Sequence, residues 1–319
     1  MSTPPGKSRN ILHKAWNFVL ANYKHPIRIF AKAIYQYPIT VFIPDRFYLS
    51  VQFKALKGKK LNWKDPRSFN EKTQYLKLYD YKPWYADICD KVEVRKYISE
   101  KIGDKYLVPV IAVYNSVDEI EWDKLPPQFI LKCTHDSGTT VLCTDKSTLD
   151  IEGSKRFLAK RMKKNYFWLH REYCYKNIKP RIICEELLIE NGTTPHDYKF
   201  FCFHGEVKLI QVDTNRFTDH GRLTLLPNFE PAPFHIDLQY LRPDQSIKRA
   251  VEKPATLGEM MELSRILSKG FKFIRVDFYS IENKIYFGEL TFYQNAGYEN
   301  IYPDSYNYWL GDLLDLNKD

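Results

Sequence analysis

Two acidic residues near the C-terminus, Asp277 and Glu289, have the type and the spacing to bind a divalent cation. Phe273–Tyr279 and Lys284–Thr291 are apolar or alternating segments, as strands are, and Ile281–Lys284 supplies a turn between them. Pairing the strands would bring both carboxylates to one end of a hairpin. Mg²⁺ takes one or two protein carboxylates and completes its shell with water and phosphates, so the pattern predicts a magnesium site. The alternative is a surface hairpin whose acids face solvent.

A second pair of predicted strands carries a cation and a small polar loop. Gln128–Cys143 is a strand containing Lys132, then the loop His135–Thr140, then another strand. Loops of this composition expose backbone N–H groups that can bind phosphate oxygens. The glycine-rich P-loop pattern is absent, and an ordinary hairpin turn remains an alternative.

Charged residues also interrupt two further apolar segments. Arg181–Ile189 is a predicted strand that contains Glu185 and Glu186, and a buried glutamate requires a cation or hydrogen-bond donors. Asp197–Phe203 and Glu206–Val212 predict another hairpin. The other expected elements are a helix starting at Ser68, a helix from about Lys82 through Ile98 that stops near Gly103, a strand at Tyr106–Val113, helices within 152–179, a loop-rich stretch at 214–250 and a helix at Leu257–Leu267.

The composition indicates a globular protein of two or three subdomains. The chain has 319 residues, of which 44% are hydrophobic and 15% aromatic. Its six cysteines form no C-x-x-C pair and are predicted to be buried thiols in a reducing compartment. No signal peptide and no apolar run of membrane-spanning length is visible. We therefore expect a cytoplasmic protein.

The positive charge is concentrated at the N-terminus. Residues 1–60 contain eleven Lys or Arg and one acidic residue, a net charge of +10, whereas the rest of the chain is at −1. In this segment aromatic and aliphatic residues alternate with basic ones. Such a segment can lie on an anionic membrane surface, or it can be a helical cap whose lysines are solvated. The neutral body of the chain argues against nucleic acid as a partner.

The order of these features resembles the ATP-grasp superfamily, and within it the TupA-like branch associated with teichuronopeptide and bacterial surface polysaccharide synthesis. The segments that carry the resemblance are Lys59–Asn62, Phe69–Lys72, Phe129–Cys133, His135–Gly138, Glu185–Leu188, Asp197–Lys199, Arg275–Asp277 and Gly288–Phe292. The resemblance implies an α+β ATP-grasp fold, in which two antiparallel β-layers hold a nucleotide. The basic N-terminal segment is then a helical extension of this fold.

The resemblance also implies which residues bind ATP. Lys132 would contact the phosphates, and the loop would close over them through His135, Ser137 and Gly138. The strand from Glu185 would end in a hinge beside adenine.

Within that hinge, the backbone of Glu186 and of Leu188 would read the edge of the base. Ribose would be bound by Glu190 or Asp197, and the resemblance does not choose between them.

Lys199 would add a phosphate contact, and Arg275 would stabilise charge on the transferring phosphoryl group, so that Lys132, Lys199 and Arg275 form the catalytic set. Asp277 and Glu289 would hold Mg²⁺. Many ATP-grasp sites have Asn two residues after this Glu, where the present chain has Thr291, which leaves the number of metal ions open.

The implied activity is ATP-dependent joining of a carboxylate and an amine through an acyl phosphate. The resemblance points to a uronic acid or another carboxylate of a capsule or cell-surface polysaccharide precursor as substrate, and to a cytoplasmic enzyme, peripheral at the inner face of the plasma membrane if residues 1–60 bind lipid. The expected divisions are 1–60, an α/β subdomain at 61–127, a lid subdomain at 128–190 and a metal-binding subdomain at 191–319.

Two other functions remain open. A glycosyltransferase of the same pathway is one, although metal-dependent enzymes of one large type use a D-x-D motif that this sequence lacks. A basic membrane-binding or nucleic-acid-binding module is the other, and the ordered set of Lys, Glu, Asp and Arg argues against it.

Overall fold

The computed structural model describes residues 41–215, 220–237 and 251–318. The chain divides into two compact units, Met1–Asn62 and Trp63–Asp319. In the first unit, helix α1 (Asp45–Lys57) ends at Gly58, whose φ of 70° allows its N–H to donate to the Lys54 carbonyl. Most of the predicted basic segment, residues 1–40, lies outside the described residues. Among the helices that are described, none is long and apolar enough to cross a membrane.

The second unit combines helices with antiparallel sheets. Its helices are α2 (Phe69–Tyr79), α3 (Tyr85–Cys89), α4 (Val94–Ile102), α5 (Ile151–Met162), α6 (Phe167–His170), α7 (Leu257–Ser268) and α8 (Ser305–Asp312). Its strands are β1 (Val110–Tyr114), β2 (Phe129–Cys133), β3 (Thr140–Cys143), β4 (Ile182–Glu185), β5 (Asp197–Phe203), β6 (Glu206–Thr214), β7 (Gly221–Leu225), β8 (His235–Ile236), β9 (Phe273–Ile281), β10 (Lys284–Thr291) and β11 (Ile301–Tyr302).

The strands form two main layers. The first sheet has the order β1-β4-β2-β3 and the second has the order β10-β9-β5-β6-β7, while β11 and β8 pair separately. Side chains of the first sheet form one hydrophobic core with Trp122 and with Leu158 of α5. The second sheet contributes to a larger core that contains Leu263 and Leu267 of α7. The prediction of two antiparallel layers is therefore confirmed.

The two faces of the second sheet differ because side chains alternate along each strand. On β5, Phe200 and Cys202 are buried on the face of α7, and the Cys202 thiol lies 3.9 Å from the Ser264 carbonyl. Asp197 and Lys199 alternate with them and face the other way. The opposite face of this sheet therefore carries charged groups at one end of the strands.

Helix α2 fixes the chain that follows β10. Ser68 and Glu71 form a capping box at its start, as the sequence predicts. The Asn70 amide donates to the Glu299 carbonyl at 2.8 Å, and the Glu299 N–H donates to Asn70 Oδ1 at 3.0 Å. Lys72 Nζ donates to the carbonyls of the C-terminal segment at Gly311 and Leu314, both at 2.8 Å. These residues of the Phe69–Lys72 motif act in packing.

The hairpins predicted from alternation are present. Asp277 and Glu289 lie on the paired strands β9 and β10. Strand β5 pairs with β6, and β2 pairs with β3. The helix predicted at Leu257–Leu267 is α7.

Other expected elements differ from the structure. The prediction of one continuous helix from about Lys82 is wrong, because the chain breaks between α3 and α4, where Asp90 accepts a hydrogen bond from the Val92 N–H. Its predicted end near Gly103 is confirmed, since α4 ends at Ile102. The strand expected at Tyr106–Val113 starts only at Val110. The stretch at 214–250, expected to be loop-rich, also contains the short strands β7 and β8 among its described residues.

All six cysteines are buried free thiols, as predicted. Cys133, Cys143 and Cys184 belong to the first sheet, and Cys202 belongs to the second. Burial raises the pKa of Cys133, Cys184 and Cys202 to about 12. These thiols are therefore protonated at neutral pH.

The predicted subdomain boundaries remain predictions. The first sheet takes β1 from the expected 61–127 subdomain and its other strands from the expected 128–190 subdomain.

Candidate functional site

A cleft with a volume of 730 Å³ is lined by residues of both main sheets. The first sheet and its connections contribute Lys132, the loop residues Ser137 and Gly138, and the segment Glu186–Leu188 that follows β4. The second sheet contributes charged side chains of β5, β6, β7, β9 and β10. The cleft is therefore the place to look for the predicted chemistry.

The backbone register brings the charged residues of the second sheet side by side. Lys199 on β5 is the cross-strand partner of Asp277 on β9, and Asp277 is in turn the partner of Glu289 on β10. Arg275, two residues before Asp277, points to the same face. Four of the predicted site residues thus form one row across three strands.

Lys199 is held between carboxylates. Its Nζ donates to Asp277 Oδ2 at 2.8 Å and to Asp197 Oδ2, and Asp213 Oδ2 lies 3.9 Å away. Burial disfavours the charged amine, but Asp197 and Asp277 outweigh burial and raise the pKa of Lys199. Lys199 is therefore a fixed, buried cation on the floor of the cleft.

Arg275 binds both acids of the predicted metal pair. Its Nε donates to Asp277 Oδ1 at 2.6 Å, and its Nη2 donates to Asp277 Oδ2 and to Glu289 Oε1, each at 2.6 Å. Its Nη1 donates to Gln294 Oε1. Burial acts against the charge of Arg275, but Asp277 and Glu289 raise its pKa above the usual value. Burial also raises the pKa of Asp277, to about 6.

The donor set at Asp277 and Glu289 fits Mg²⁺ chemically. Both are carboxylates, and the strands shift register between Phe287 and Glu289, so that Glu289 pairs directly with Asp277. Gly288 lies at this bulge, where a Cβ would come within 3.1 Å of the Asp277 carbonyl oxygen. A side chain at Gly288 would therefore crowd the pair. In the part of the chain that the structure describes, no group of three or more His, Cys, Asp or Glu forms a metal cluster.

A second ion pair, absent from the sequence prediction, continues the row. Arg222 on β7 donates from Nε to Asp213 Oδ1 at 2.7 Å and from Nη2 to Asp213 Oδ2 at 3.1 Å. Its Nη1 lies 3.4 Å from Asp237. Burial alone would raise the pKa of the Asp213 carboxyl, but the His220 ring 3.4 Å away and the hydrogen bonds from Arg222 hold this pKa well below its usual range.

Lys132 on the first sheet is paired with Glu185. Its Nζ donates to Glu185 Oε2 at 2.8 Å, and Arg95 lies 3.6 Å from the other carboxylate oxygen. The buried Glu185 is therefore balanced by two cations, as a glutamate inside an apolar strand requires. Lys132 also lines the cleft.

The loop after β2 is fixed by side chains that bind its carbonyls. Lys91 Nζ donates to the Asp136 carbonyl at 2.6 Å, and Arg161 Nη2 donates to the Ser137 carbonyl at 3.2 Å. Since the C=O and N–H of a trans peptide point in opposite directions, the N–H groups of Ser137 and Gly138 point away from these cations. Neither N–H donates to an acceptor among the described residues. The loop therefore offers two unused donors beside the cleft.

His135 does not line the cleft. Its ring is buried, Nε2 lies 3.1 Å from the Lys164 carbonyl, and burial lowers its pKa. The structure therefore gives His135 a position behind the loop and brings Ser137 and Gly138 to the cleft instead.

The hinge after β4, Glu186–Leu188, has backbone groups that are available for a ligand in the cleft. The Glu186 N–H donates to the Pro109 carbonyl at 3.0 Å, so the carbonyl of Glu186 is the group left for a ligand. The Leu188 N–H donates to no acceptor within the described ranges. Glu186, Leu187 and Leu188 all line the cleft, and Asp197 lines it beside them.

The turn after β10 has left-handed backbone at Asn295 and Ala296, with φ of 42° and 51°. Lys77 of α2 holds this turn, because its Nζ donates to the Ala296 carbonyl at 2.6 Å. At Gly297, a Cβ would come within 2.4 Å of the Gln74 amide. A buried lysine thus stabilises the strained turn that carries Gln294 to Arg275.

Glu172 also lines the cleft. Burial raises the pKa of its carboxyl to about 7, although Lys77 acts in the opposite direction. Burial also lowers the pKa of Lys77 to about 7.

This burial predicts a pH dependence of stability. A raised pKa in the folded state means that the native protein binds the proton more tightly, so stability falls as the pH rises from about 4.5 to about 7. The Glu172→Gln variant should lack this loss and gain about 3 kcal/mol relative to wild type across that window. Urea unfolding at several pH values measures it. A stability difference between the two proteins that stays constant over this pH range would contradict the prediction.

The sequence prediction missed several residues of the cleft. Arg222 lies in a stretch expected to be loop, although Gly221–Leu225 does alternate. Glu172, and also Arg161, which binds the loop after β2, lie in segments that the sequence marks only as helical and rich in basic and aromatic residues.

Comparison with known proteins identifies the family. Residues 71–315 match the model of the TupA-like ATP-grasp family. The chain belongs to this family, and its fold is the ATP-grasp fold. No curated protein matches the chain.

Similar solved structures include ATP-grasp ligases. D-alanine–D-alanine ligase from Bacillus anthracis is 14% identical, with 69% of this chain and 57% of that chain covered and a TM-score of 0.35. Phosphoribosylamine–glycine ligase from Thermotoga maritima is 14% identical, with 65% and 48% covered and a TM-score of 0.37. L-amino acid ligase from Bacillus licheniformis is 13% identical, with 81% and 57% covered and a TM-score of 0.40. The chain spans about half the length of these proteins.

Proposed function

We propose that this protein is an ATP-dependent carboxylate–amine ligase that works through an acyl phosphate. The observation that supports this most directly is the row of Lys199, Arg275, Asp277 and Glu289, of which Lys199, Arg275 and Glu289 line the cleft. Lys132 and the unused N–H groups lie on the other sheet. ATP and a carboxylate substrate are both anions, and fixed cations reduce the repulsion between them.

The proposed reaction has two steps. A carboxylate oxygen of the substrate attacks the γ-phosphorus of ATP, and ADP leaves. The amine nitrogen then attacks the carbonyl carbon of the acyl phosphate, and inorganic phosphate leaves with the electron pair of the broken C–O bond. Lys132 and Lys199 would bind phosphate oxygens, and Arg275 would stabilise the charge on the group being transferred. Mg²⁺, when held by Asp277 and Glu289, would neutralise charge on the β- and γ-phosphates.

The nucleotide would lie between the two sheets. Its adenine edge would meet the Glu186 carbonyl and the Leu188 N–H, and its phosphates would meet the N–H groups of Ser137 and Gly138. Glu190 and Asp197 remain the candidates for ribose, and of the two Asp197 lines the cleft.

The proposed carboxylate is a uronic acid or another acid of a bacterial capsule or cell-surface polysaccharide precursor. Membership of the TupA-like family supports this class. The test is ADP release over a matrix of uronic acids and amines, with mass spectrometry to detect the amide. Release of nucleoside diphosphate from a sugar nucleotide, with no ADP from any pair of substrates, would favour a glycosyltransferase instead.

We also propose that residues 1–60 bring the enzyme to the inner face of the plasma membrane, because they carry a net charge of +10. Each well-placed Lys or Arg should contribute about 1 kcal/mol of attraction to anionic lipid. Deleting residues 1–44 should abolish sedimentation with anionic vesicles and spare ATP binding. Equal sedimentation of the truncated protein would show that this segment does not bind lipid.

A further inference from the structure

Glu172 is a buried carboxylate that faces the cleft without a hydrogen-bond donor. It lies just after α6, its side chain is 5% exposed, and it lines the cleft. None of the described residues donates a hydrogen bond to its carboxylate. A buried carboxylate without a donor is destabilising, so one that persists in a cleft is a candidate for binding a ligand.

The neighbouring cation does not fill this role. Lys77 attracts Glu172 electrostatically, but its Nζ already donates to Gln74 Oε1 at 3.0 Å, to the His170 carbonyl at 3.0 Å and to the Ala296 carbonyl at 2.6 Å. An ammonium group has three N–H donors, and these three contacts use them all. Lys77 therefore supplies charge to Glu172 and no hydrogen bond.

Tyr293 provides a second, independent observation. Its side chain is 3% exposed, it lines the same cleft, and its hydroxyl has no partner among the described residues. Burial raises the pKa of Tyr293, and Tyr293 and Glu172 both line the cleft. The next residue, Gln294, accepts the hydrogen bond from Arg275. Two unsatisfied polar groups thus lie beside the row of charges proposed to activate the carboxylate.

We infer that Glu172 and Tyr293 form the binding site for the amine substrate, and that Glu172 accepts the proton that the amine releases. This inference rests on the proposed ligase function. The negative charge of Glu172 repels a carboxylate and attracts an ammonium group, whereas Lys199 and Arg275 do the reverse. The two substrates are thereby assigned to different parts of the cleft.

The proton transfer balances with the second step of the reaction. A protonated amine binds with its N–H groups toward Glu172 and the Tyr293 oxygen. One proton passes to a Glu172 carboxylate oxygen, which frees the nitrogen lone pair to form the C–N bond. The C–O bond breaks as phosphate leaves with its electron pair, and the second N–H proton passes from the nitrogen to that phosphate, so that a neutral amide remains. The raised pKa of Glu172, about 7, suits a base that works at neutral pH.

Two nucleophiles separate this role from a structural one. Hydroxylamine is largely neutral at neutral pH, whereas an alkylamine resembles lysine and is largely protonated. With D-glucuronate, D-galacturonate or D-mannuronate as the acid, Glu172→Gln should retain hydroxamate formation from hydroxylamine. The variant should lose about 10²- to 10⁴-fold in amide formation from D-glucosamine or n-propylamine. Equal loss with both kinds of nucleophile would overturn the inference.

An equilibrium measurement does not depend on turnover. Calorimetry with the full chain, Mg²⁺ and a non-hydrolysable ATP analogue should show that Glu172→Gln binds D-glucosamine at least about tenfold more weakly than wild type. Tyr293→Phe should weaken amine binding less and leave stability unchanged, because the hydroxyl has no partner among the described residues. Glu152→Gln is the matched control, since Glu152 is 68% exposed on α5.

The equilibrium outcomes also distinguish this inference from the proposed function. If wild type binds the nucleotide analogue but no amine, the amine site alone is overturned. The same holds if wild type and Glu172→Gln bind the amine with equal affinity. Amine binding that depends on Glu172, without hydroxamate from any uronate, supports the site and counts against the proposed acid.

Discussion

Replacing Asp277 with Asn is expected to abolish most of the activity and to destabilise the fold. Asp277 accepts two hydrogen bonds from Arg275 and one from Lys199, all within 2.8 Å. Asn is neutral and places an NH₂ group where one carboxylate oxygen accepts, so two buried cations lose their counter-charge. Removing one partner of such a buried set costs about 3–5 kcal/mol. The rate of ADP formation should fall by several orders of magnitude, because phosphoryl transfer depends on charge neutralisation.

Glu289→Gln separates the two effects. The side chain of Glu289 is 44% exposed, so its pair with Arg275 contributes little to stability. This variant should unfold within about 1 kcal/mol of wild type in urea and still lose most of the rate. ADP release at saturating Mg²⁺, with a substrate pair from the screen, measures the loss of rate. Near-wild-type turnover in both variants would rule out the proposed metal site.

Replacing Lys132 with Ala is expected to remove most of the stabilisation that ATP gives. A ligand present at 100 times its Kd stabilises the folded state by about 2.7 kcal/mol. If the Lys132 ammonium binds phosphate, the variant should show little rise in melting temperature with ATP and Mg²⁺ at the concentration that saturates wild type. The comparison is made by thermal unfolding with and without nucleotide.

The unliganded stability of this variant must be measured as well, because Lys132 also neutralises Glu185. Arg95 remains 3.6 Å from that carboxylate and limits the damage. Lys124→Ala is the control, since Lys124 is 75% exposed and pairs with Glu121 away from the cleft. A full ATP shift in Lys132→Ala would leave the predicted nucleotide contact without support.

Local patterns in the sequence were sufficient to predict the hairpins. Alternation of apolar and polar residues sets which side chains share a face, and a turn of Glu282 and Asn283 with positive φ fixes the register of β9 against β10. Asp277 and Glu289 could therefore be placed together from one segment of chain. The capping box at Ser68 is equally local.

Contacts between distant segments could not be predicted in this way. Lys77 and Ala296 are 219 residues apart, and only the packing of α2 against the turn after β10 brings them together. The break between α3 and α4 likewise depends on Arg181, which binds Asp90 from 91 residues away. Glu172 has no local signal at all, because what distinguishes it is that no described residue donates a hydrogen bond to its carboxylate in the folded protein.

The six thiols make the rate of chemical alkylation a measure of how often the fold opens. A thiol reacts as the thiolate, and burial suppresses both its ionisation and its access to reagent. Modification of Cys133, Cys143 or Cys184 therefore requires the first sheet to open, and modification of Cys202 requires the second sheet to open. The order in which a mass spectrometer finds them alkylated distinguishes a fold that opens as one unit from two layers that open separately.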